Sequence, residues 1–169
     1  AYGIQKQDGY AADYSRYYQD NAYIFFPTLS DESDITANLG GDTLAMVYNA
    51  KALTLTDSGK DTISTSSFMT TSKDSAVITD NDEVSGQYCI AAVAKEQINE
   101  NTTANLTVYG AGSIIAEDII VSFGNLANSQ IFLNSLTADF PDTANVAIAA
   151  KSLETTYNTI MYGGLWSAL

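Results

Sequence analysis

Along this chain hydrophobic and polar residues change places in short bursts rather than in long helical stripes. YIFFP (23–27) reads as a short buried strand stopped by Pro27, whose missing N–H cannot serve a ladder. TLAMVY (43–48) predicts a strand, and ALTLT (52–56) a second one with period-two alternation. After the turn DSGKD (57–61), TISTSSFMTTS (62–72) is β-prone but rich in hydroxyls, which suits an edge or half-exposed strand.

DSAVITDNDEVSG (74–86) reads as a loop holding a short apolar island. GQYCIAAVAKE (86–96) is the clearest strand, followed by a turn at NENTTAN and a further strand, NLTVYG (105–110). IIAEDIIVSF (114–123) fits helix or strand. LANSQIFLNSLTA (126–138) predicts a helix, with Asn125 or Asn128 as N-cap and an imperfect apolar face of Leu126, Ile131, Leu133 and Leu136. NVAIAA (145–150) predicts a last strand. The pattern therefore implies about six to eight short strands and one or two helices in a single domain, 1–169, without internal repeats or a low-complexity linker.

Composition narrows the chemistry. Seven basic and twenty acidic residues give a formal charge of −13. Such a chain repels phosphate backbones and anionic lipid, so nucleic acid is not an expected partner. There is no histidine, which removes the commonest general base and metal ligand. A single cysteine, Cys89, rules out an internal disulfide; set in QYCIAAVA, it reads as a small core hydrophobe.

Candidate motifs fall short one by one. VYGAGS (108–113) begins like a phosphate-binding loop, but the position for a third glycine is Ile115, and Glu117 and Asp118 would set negative charge beside a phosphate. No Gly-Lys-Ser/Thr occurs, and Ser113 does not sit in a G-x-S-x-G elbow. The turn reading is preferred.

Asp80-Asn81-Asp82-Glu83 looks like the start of a calcium loop, yet its fifth position is Val84 and glycine arrives only at Gly86. It reads as a solvated loop, as do Asp31, Glu32 and Asp34. The early tyrosines (Tyr2, Tyr10, Tyr14, Tyr17, Tyr18, Tyr23) form a core rim, or a stacking platform for sugar or peptide. The sequons at Asn101 and Asn105 matter only in a cell that glycosylates secreted chains. No residue is nominated as catalytic, cofactor-binding or metal-ligating, and no cofactor is expected.

Four segments, in order, resemble the extracytoplasmic part of the Gldg (gliding-motility-associated) family of ABC-transporter auxiliary proteins, clostridial members in particular. Tyr2-Gly3-Ile4 is followed by SRYYQDNAYIFFPTLSDESDITANL (15–39), similar to a tyrosine-rich passage leading to an FPT strand end and a D-I-T turn. SSFMTTSKDSAV (66–77) resembles a hydroxyl-rich LLTTSDSAY stretch. LTVYGAGSIIAEDII and GNLANSQIFLNSL (106–136) resemble a strand ending in GDS and a helix ending in LFLNSLNWL. VAIAAKSLETTYNTI (146–160) resembles the passage before the family's final membrane helix. The family's Asp after the strand glycine is Ala111 here, and its Trp-Leu after the helix is Thr137-Ala138.

The resemblance implies an α/β fold: a strand-rich central sheet flanked by a few helices, related to flavodoxin-like and glutamine-amidotransferase-like sheets, with α+β as the alternative. It implies a fragment of a membrane-anchored protein on the outer face of a bacterial cell membrane, with βα units preceding AYGIQ and a membrane helix beginning at LWSAL. The partners would be the permease and ATPase subunits of an ABC transporter, and the role non-enzymatic binding or scaffolding. Two alternatives stand beside it. One is a carbohydrate- or small-ligand-binding protein or carboxylate-based hydrolase, which needs paired acids among residues such as Asp13, Glu117 and Asp118. The other is a surface adhesion module.

Overall fold

The structure, a computed structural model, describes residues 2–138. The expected strand at 145–150, the resembling segment 146–160 and both chain ends lie outside the described residues.

Among the described residues twelve strands occur: β1 Ile4–Lys6, β2 Tyr10–Asp13, β3 Tyr17–Tyr18, β4 Asn21–Phe25, β5 Thr28–Leu29, β6 Val47–Tyr48, β7 Leu53–Leu55, β8 Ile63–Thr70, β9 Ser75–Ile78, β10 Glu83–Ser85, β11 Cys89–Asn99 and β12 Thr102–Tyr109. A 3-10 turn, Gly112–Ile115, and two helices, α1 Glu117–Ser122 and α2 Asn128–Thr137, follow them. Strand accounts for 40% of the described residues and helix for 15%, so this part of the chain is mostly β.

The expected α/β fold is thereby overturned. Three sheets form, and every strand pair in them is antiparallel. A flavodoxin-like sheet needs parallel neighbours, and each parallel pair needs a crossover of a dozen or more residues, usually a helix. Here the described helices come after the last described strand and none lies between two strands.

β11 is the spine of the largest sheet, ordered β1-β7-β11-β8-β5 with β12 also on β11. Ala91, Ala92, Val93 and Ala94 are all buried, so both faces of the strand are covered. That is why its sequence is a continuous small-apolar run instead of an alternation. β8 runs beside it from Ile63 to Thr70, and the hydroxyls on its open side agree with the half-exposed strand expected for 62–72.

The stretch 74–86, expected to be a loop, is a β-hairpin. β9 and β10 pair from Ile78↔Glu83 to Ala76↔Ser85, and β9 also pairs with β2. The turn is closed by the Thr79 N–H to the Asp82 carbonyl at 2.8 Å and the Asp82 N–H to Thr79 Oγ1 at 3.0 Å. Residues that looked like a polar interruption are thus the turn itself.

The ambiguous stretch 114–123 is helical, its β-branched residues notwithstanding. Phe25, Val47, Phe68, Met69, Ile90 and Ile131 pack into one buried cluster between the sheets and α2. Phe68 meets Tyr109 edge-on at 5.5 Å between ring centroids.

Asp13 closes the small β2–β9–β10 sheet from inside. Its carboxylate is wholly buried and accepts from the N–H groups of Ser15 (3.0 Å), Arg16 (2.9 Å) and Ser72 (2.7 Å) and from the Ser72 hydroxyl (2.8 Å). Beside it, Thr71 and Ser75 join their hydroxyls at 2.7 Å, and Thr71 Oγ1 receives the Tyr88 N–H at 2.8 Å. A buried carboxylate needs this many donors to offset lost hydration.

Candidate functional site

The strand exit VYGAGS is where the sequence pointed, and the structure shows what occupies it. β12 ends at Tyr109, and Gly110 is squeezed between the backbone at Lys51 and at Ile90. Its N–H donates to the Ile90 carbonyl at 2.7 Å, and its carbonyl receives the Lys51 N–H at 2.8 Å. A Cβ on residue 110 would come within 2.0 Å of the Lys51 carbonyl oxygen, so only glycine fits this approach.

Ser113 then turns inward, not toward solvent. Its Oγ accepts the Tyr48 N–H at 2.9 Å and donates to the Tyr48 carbonyl at 3.0 Å. Asn128 does the same two residues earlier. Its Oδ1 accepts the Met46 N–H at 3.0 Å, and its Nδ2 donates to the Met46 carbonyl at 2.7 Å and to the Ile114 carbonyl at 3.3 Å. The Ala127 N–H takes the Leu44 carbonyl at 2.9 Å.

Segment 44–48 therefore has two edges. Its last two residues pair with β4, while the outward groups of Leu44, Met46 and Tyr48 are satisfied by a backbone amide and two side chains. This explains why TLAMVY, expected to be a full strand, yields only the two-residue β6. Side chains supply the partners that a neighbouring strand would have given.

The same geometry corrects the expected cap of the second helix. Its N-cap is Ala127, without a side-chain cap bond, and Asn128 is 1% exposed in the core. The helix's inward face is Asn128 and Ile131, while Leu133 and Leu136 point outward. Ala111 is buried at the position where the resembling family carries aspartate.

One groove lies by the helices that follow this turn, and another toward the turn of the β11–β12 hairpin. One, of about 220 Å³, lies between α1 and α2 and is lined by Ile119, Ile120, Phe123, Leu126 and the start of α2. The other, of about 460 Å³, is polar, lined by Lys95, Asn101, Thr102, Thr103, Asn105 and Ala138 beside the β11–β12 hairpin. Neither has a carboxylate among its described lining residues.

The acids weighed from sequence are not brought together. Asp13 spends its bonds on Ser15, Arg16 and Ser72, whereas Glu117 and Asp118 are exposed at the start of α1. Asp118 accepts from the Tyr48 hydroxyl at 3.4 Å. Asp80, Asn81 and Asp82 form the exposed hairpin turn, and Glu83 opens β10. Asp34 pairs with Lys95 at 2.6 Å. Among the described residues no three His, Cys, Asp or Glu side chains are grouped for a metal ion.

The early tyrosines do not form one cluster. Tyr18 stacks edge-on against Phe26 and Phe123, at 6.2 and 5.5 Å. Tyr10 carries the Lys51 ammonium 3.5 Å over its ring. Tyr14 and Tyr2 donate to Glu83 and Glu96, and those bonds hold both phenols above their ordinary pKa. Cys89 is half-buried on β11, and desolvation pushes its thiol up to about 12.

Of this site, sequence reasoning reached the turn and missed the two inward side chains. A serine or asparagine next to apolar residues carries no mark of whether it caps its own helix or serves a distant backbone. No helix of the described residues is long and apolar enough to cross a membrane. Comparison with protein families, with curated proteins and with solved structures finds no match.

Proposed function

We propose that this chain is a non-enzymatic binding or scaffolding domain that works at the outer face of a bacterial membrane beside an ABC transporter. One observation carries the non-enzymatic part. At the strand exit, where a reactive group would sit, Ser113 and Asn128 are both committed to backbone groups, and Ala111 replaces the acid. A serine hydroxyl that donates its proton to one residue's carbonyl and accepts the same residue's N–H presents no proton to a general base. The transporter part rests on the order of the four resembling segments alone, since the described fold is not the one the resemblance implied.

The test is affinity isolation of the full-length protein from membranes of its native cell. Recovery of a permease or ATPase subunit in stoichiometric amount is the expected result. Repeated recovery of the protein without either subunit overturns the reading.

A second reading has one observation in its favour, the polar groove beside the β11–β12 hairpin, whose amides and hydroxyls suit a neutral sugar. Titration with neutral oligosaccharides, followed at the Thr103 and Asn105 amide resonances, separates the two.

A further inference from the structure

Among the described residues β12 pairs with β11 along one side, and no described strand lies along the other. The Gly110 N–H meets the Ile90 carbonyl at 2.7 Å, and alternation from that bond turns the backbone groups of Val108, Leu106 and Ala104 toward β11. Those of Thr103, Thr107 and Tyr109 point to the outer edge. An eight-residue strand with such an edge is a template for another strand, and native chains seldom leave one so long without cover.

α2 shows where the chain goes next. Near the end of β12, the Tyr109 hydroxyl donates to the Ile131 carbonyl at 3.4 Å, and the Tyr109 and Phe132 rings lie 6.2 Å apart. Beyond the helix's other end, Ala138 shares a groove with Thr102, Thr103 and Asn105, at the start of β12. α2 therefore runs back across β12 and delivers the chain to that strand's first residues. A segment laid along β12 from there runs parallel to it, with the helices as the crossover that a parallel pair requires.

The sequence beyond Ala138 suits this path. Residues 139–144 read DFPDTA, a connection of turn-forming residues within the usual length between a helix and a strand. Fully extended, the link from Ala138 to Asn145 spans about 23 Å, several times the ~4.8 Å between neighbouring strands. NVAIAA (145–150) is then a short apolar run bounded by polar residues. A second copy of the chain is a poorer occupant. It would bring −13 against −13 without a tether, whereas a short link holds its own segment at an effective concentration on the order of millimolar.

We propose that NVAIAA (145–150), which lies outside the described residues, is the occupant of the outer edge of β12 and pairs with it in parallel. The large sheet keeps its mostly antiparallel, strand-rich character and gains one parallel edge.

The experiment is nuclear magnetic resonance on the isotope-labelled full chain. Amide exchange at Thr107 should be about 100-fold slower than at an unpaired edge amide. Nuclear Overhauser contacts should join β12 to 145–150 in parallel order, so that the residue opposite Thr103 precedes the one opposite Thr107. Val146→Pro and Ala147→Pro complete the test. Successive residues of a strand aim their N–H groups at opposite edges, so one of the two prolines removes a bond to β12 and should return Thr107 to fast exchange. Val93 on β11, which pairs with Ser66 of β8, should stay protected and report an intact fold. Fast exchange at Thr107 in the unaltered chain overturns the proposal, as does slow exchange that both prolines leave unchanged. Contacts in antiparallel order, or contacts that arise only between differently labelled copies, overturn it too.

Discussion

Asn128 tests the logic of the site most sharply, because two roles for it predict different energies. As a helix N-cap, its replacement by alanine would cost about 1 kcal/mol. As the inward clip, its loss strands the Met46 N–H and carbonyl in a residue that is 2% exposed, and removes the bond to the Ile114 carbonyl. Each orphaned buried backbone group costs about 1–3 kcal/mol, so Asn128→Ala should cost about 4 kcal/mol. For a chain of this length that lowers Tm by roughly 8–16 °C. Asn128→Asp separates the roles further. Aspartate is an excellent cap, but here its second oxygen would face the Met46 carbonyl, so the variant should be no more stable than alanine. Urea unfolding followed by far-UV circular dichroism gives both values, with an unchanged m-value confirming that the unfolded reference is the same. A loss near 1 kcal/mol for alanine together with a stable aspartate variant would refute the clip.

Four further outcomes follow from the same structure. Ser113→Ala removes both bonds to Tyr48 and should cost about 2 kcal/mol in urea unfolding, whereas Ser113→Thr, which keeps the hydroxyl, should cost less. Gly110→Ala forces a methyl against the Lys51 carbonyl and should cost about 3 kcal/mol, visible as an early thermal transition. Asp13→Ala leaves four donors without an acceptor and should cost about 3–5 kcal/mol; Asp13→Asn keeps the shape but opposes an amide to the Ser72 N–H and should fall between.

The fourth concerns pH. Cys89 and Tyr109 are both held neutral by burial, their folded pKa values lying above the unfolded ones. The stability tied to them is therefore complete below about pH 9, the ordinary thiol value, and is lost as pH rises toward 12. Alkylation of native Cys89 by iodoacetamide at pH 8 should be slow, and fast labelling of the folded protein would show that the thiol is not desolvated.

The strands that were legible in the sequence share a property. β11 declared itself because burial on both faces demands an unbroken apolar run, and β4, β7 and β12 because alternation or aromatic content leaves a local trace. β9 and β10 left no such trace. Three or four residues on each side of a polar turn are too short for periodicity, and their ladder becomes worthwhile only because β2, far away in sequence, supplies the second edge. Strand direction was equally invisible. The resemblance implied parallel order, but whether two strands run parallel is settled by connections and partners, not by the strands' own residues.

At the strand exit the division is the same. Sequence alone determined that VYGAGS is a turn without a base or a phosphate cradle, because the missing residue types cannot be supplied by folding. It determined the acidity and the lack of histidine. Tertiary structure decided what Ser113 and Asn128 do. Both types bond equally well to local backbone or to a distant one, and only the fold brings Met46 and Tyr48 within 3 Å of them. It also decided which apolar side chains remain in water. Ile131 and Leu133 are two residues apart on the same helix; among the described residues the first is in the core cluster and the second is exposed, because the core packs on the Ile131 side of α2.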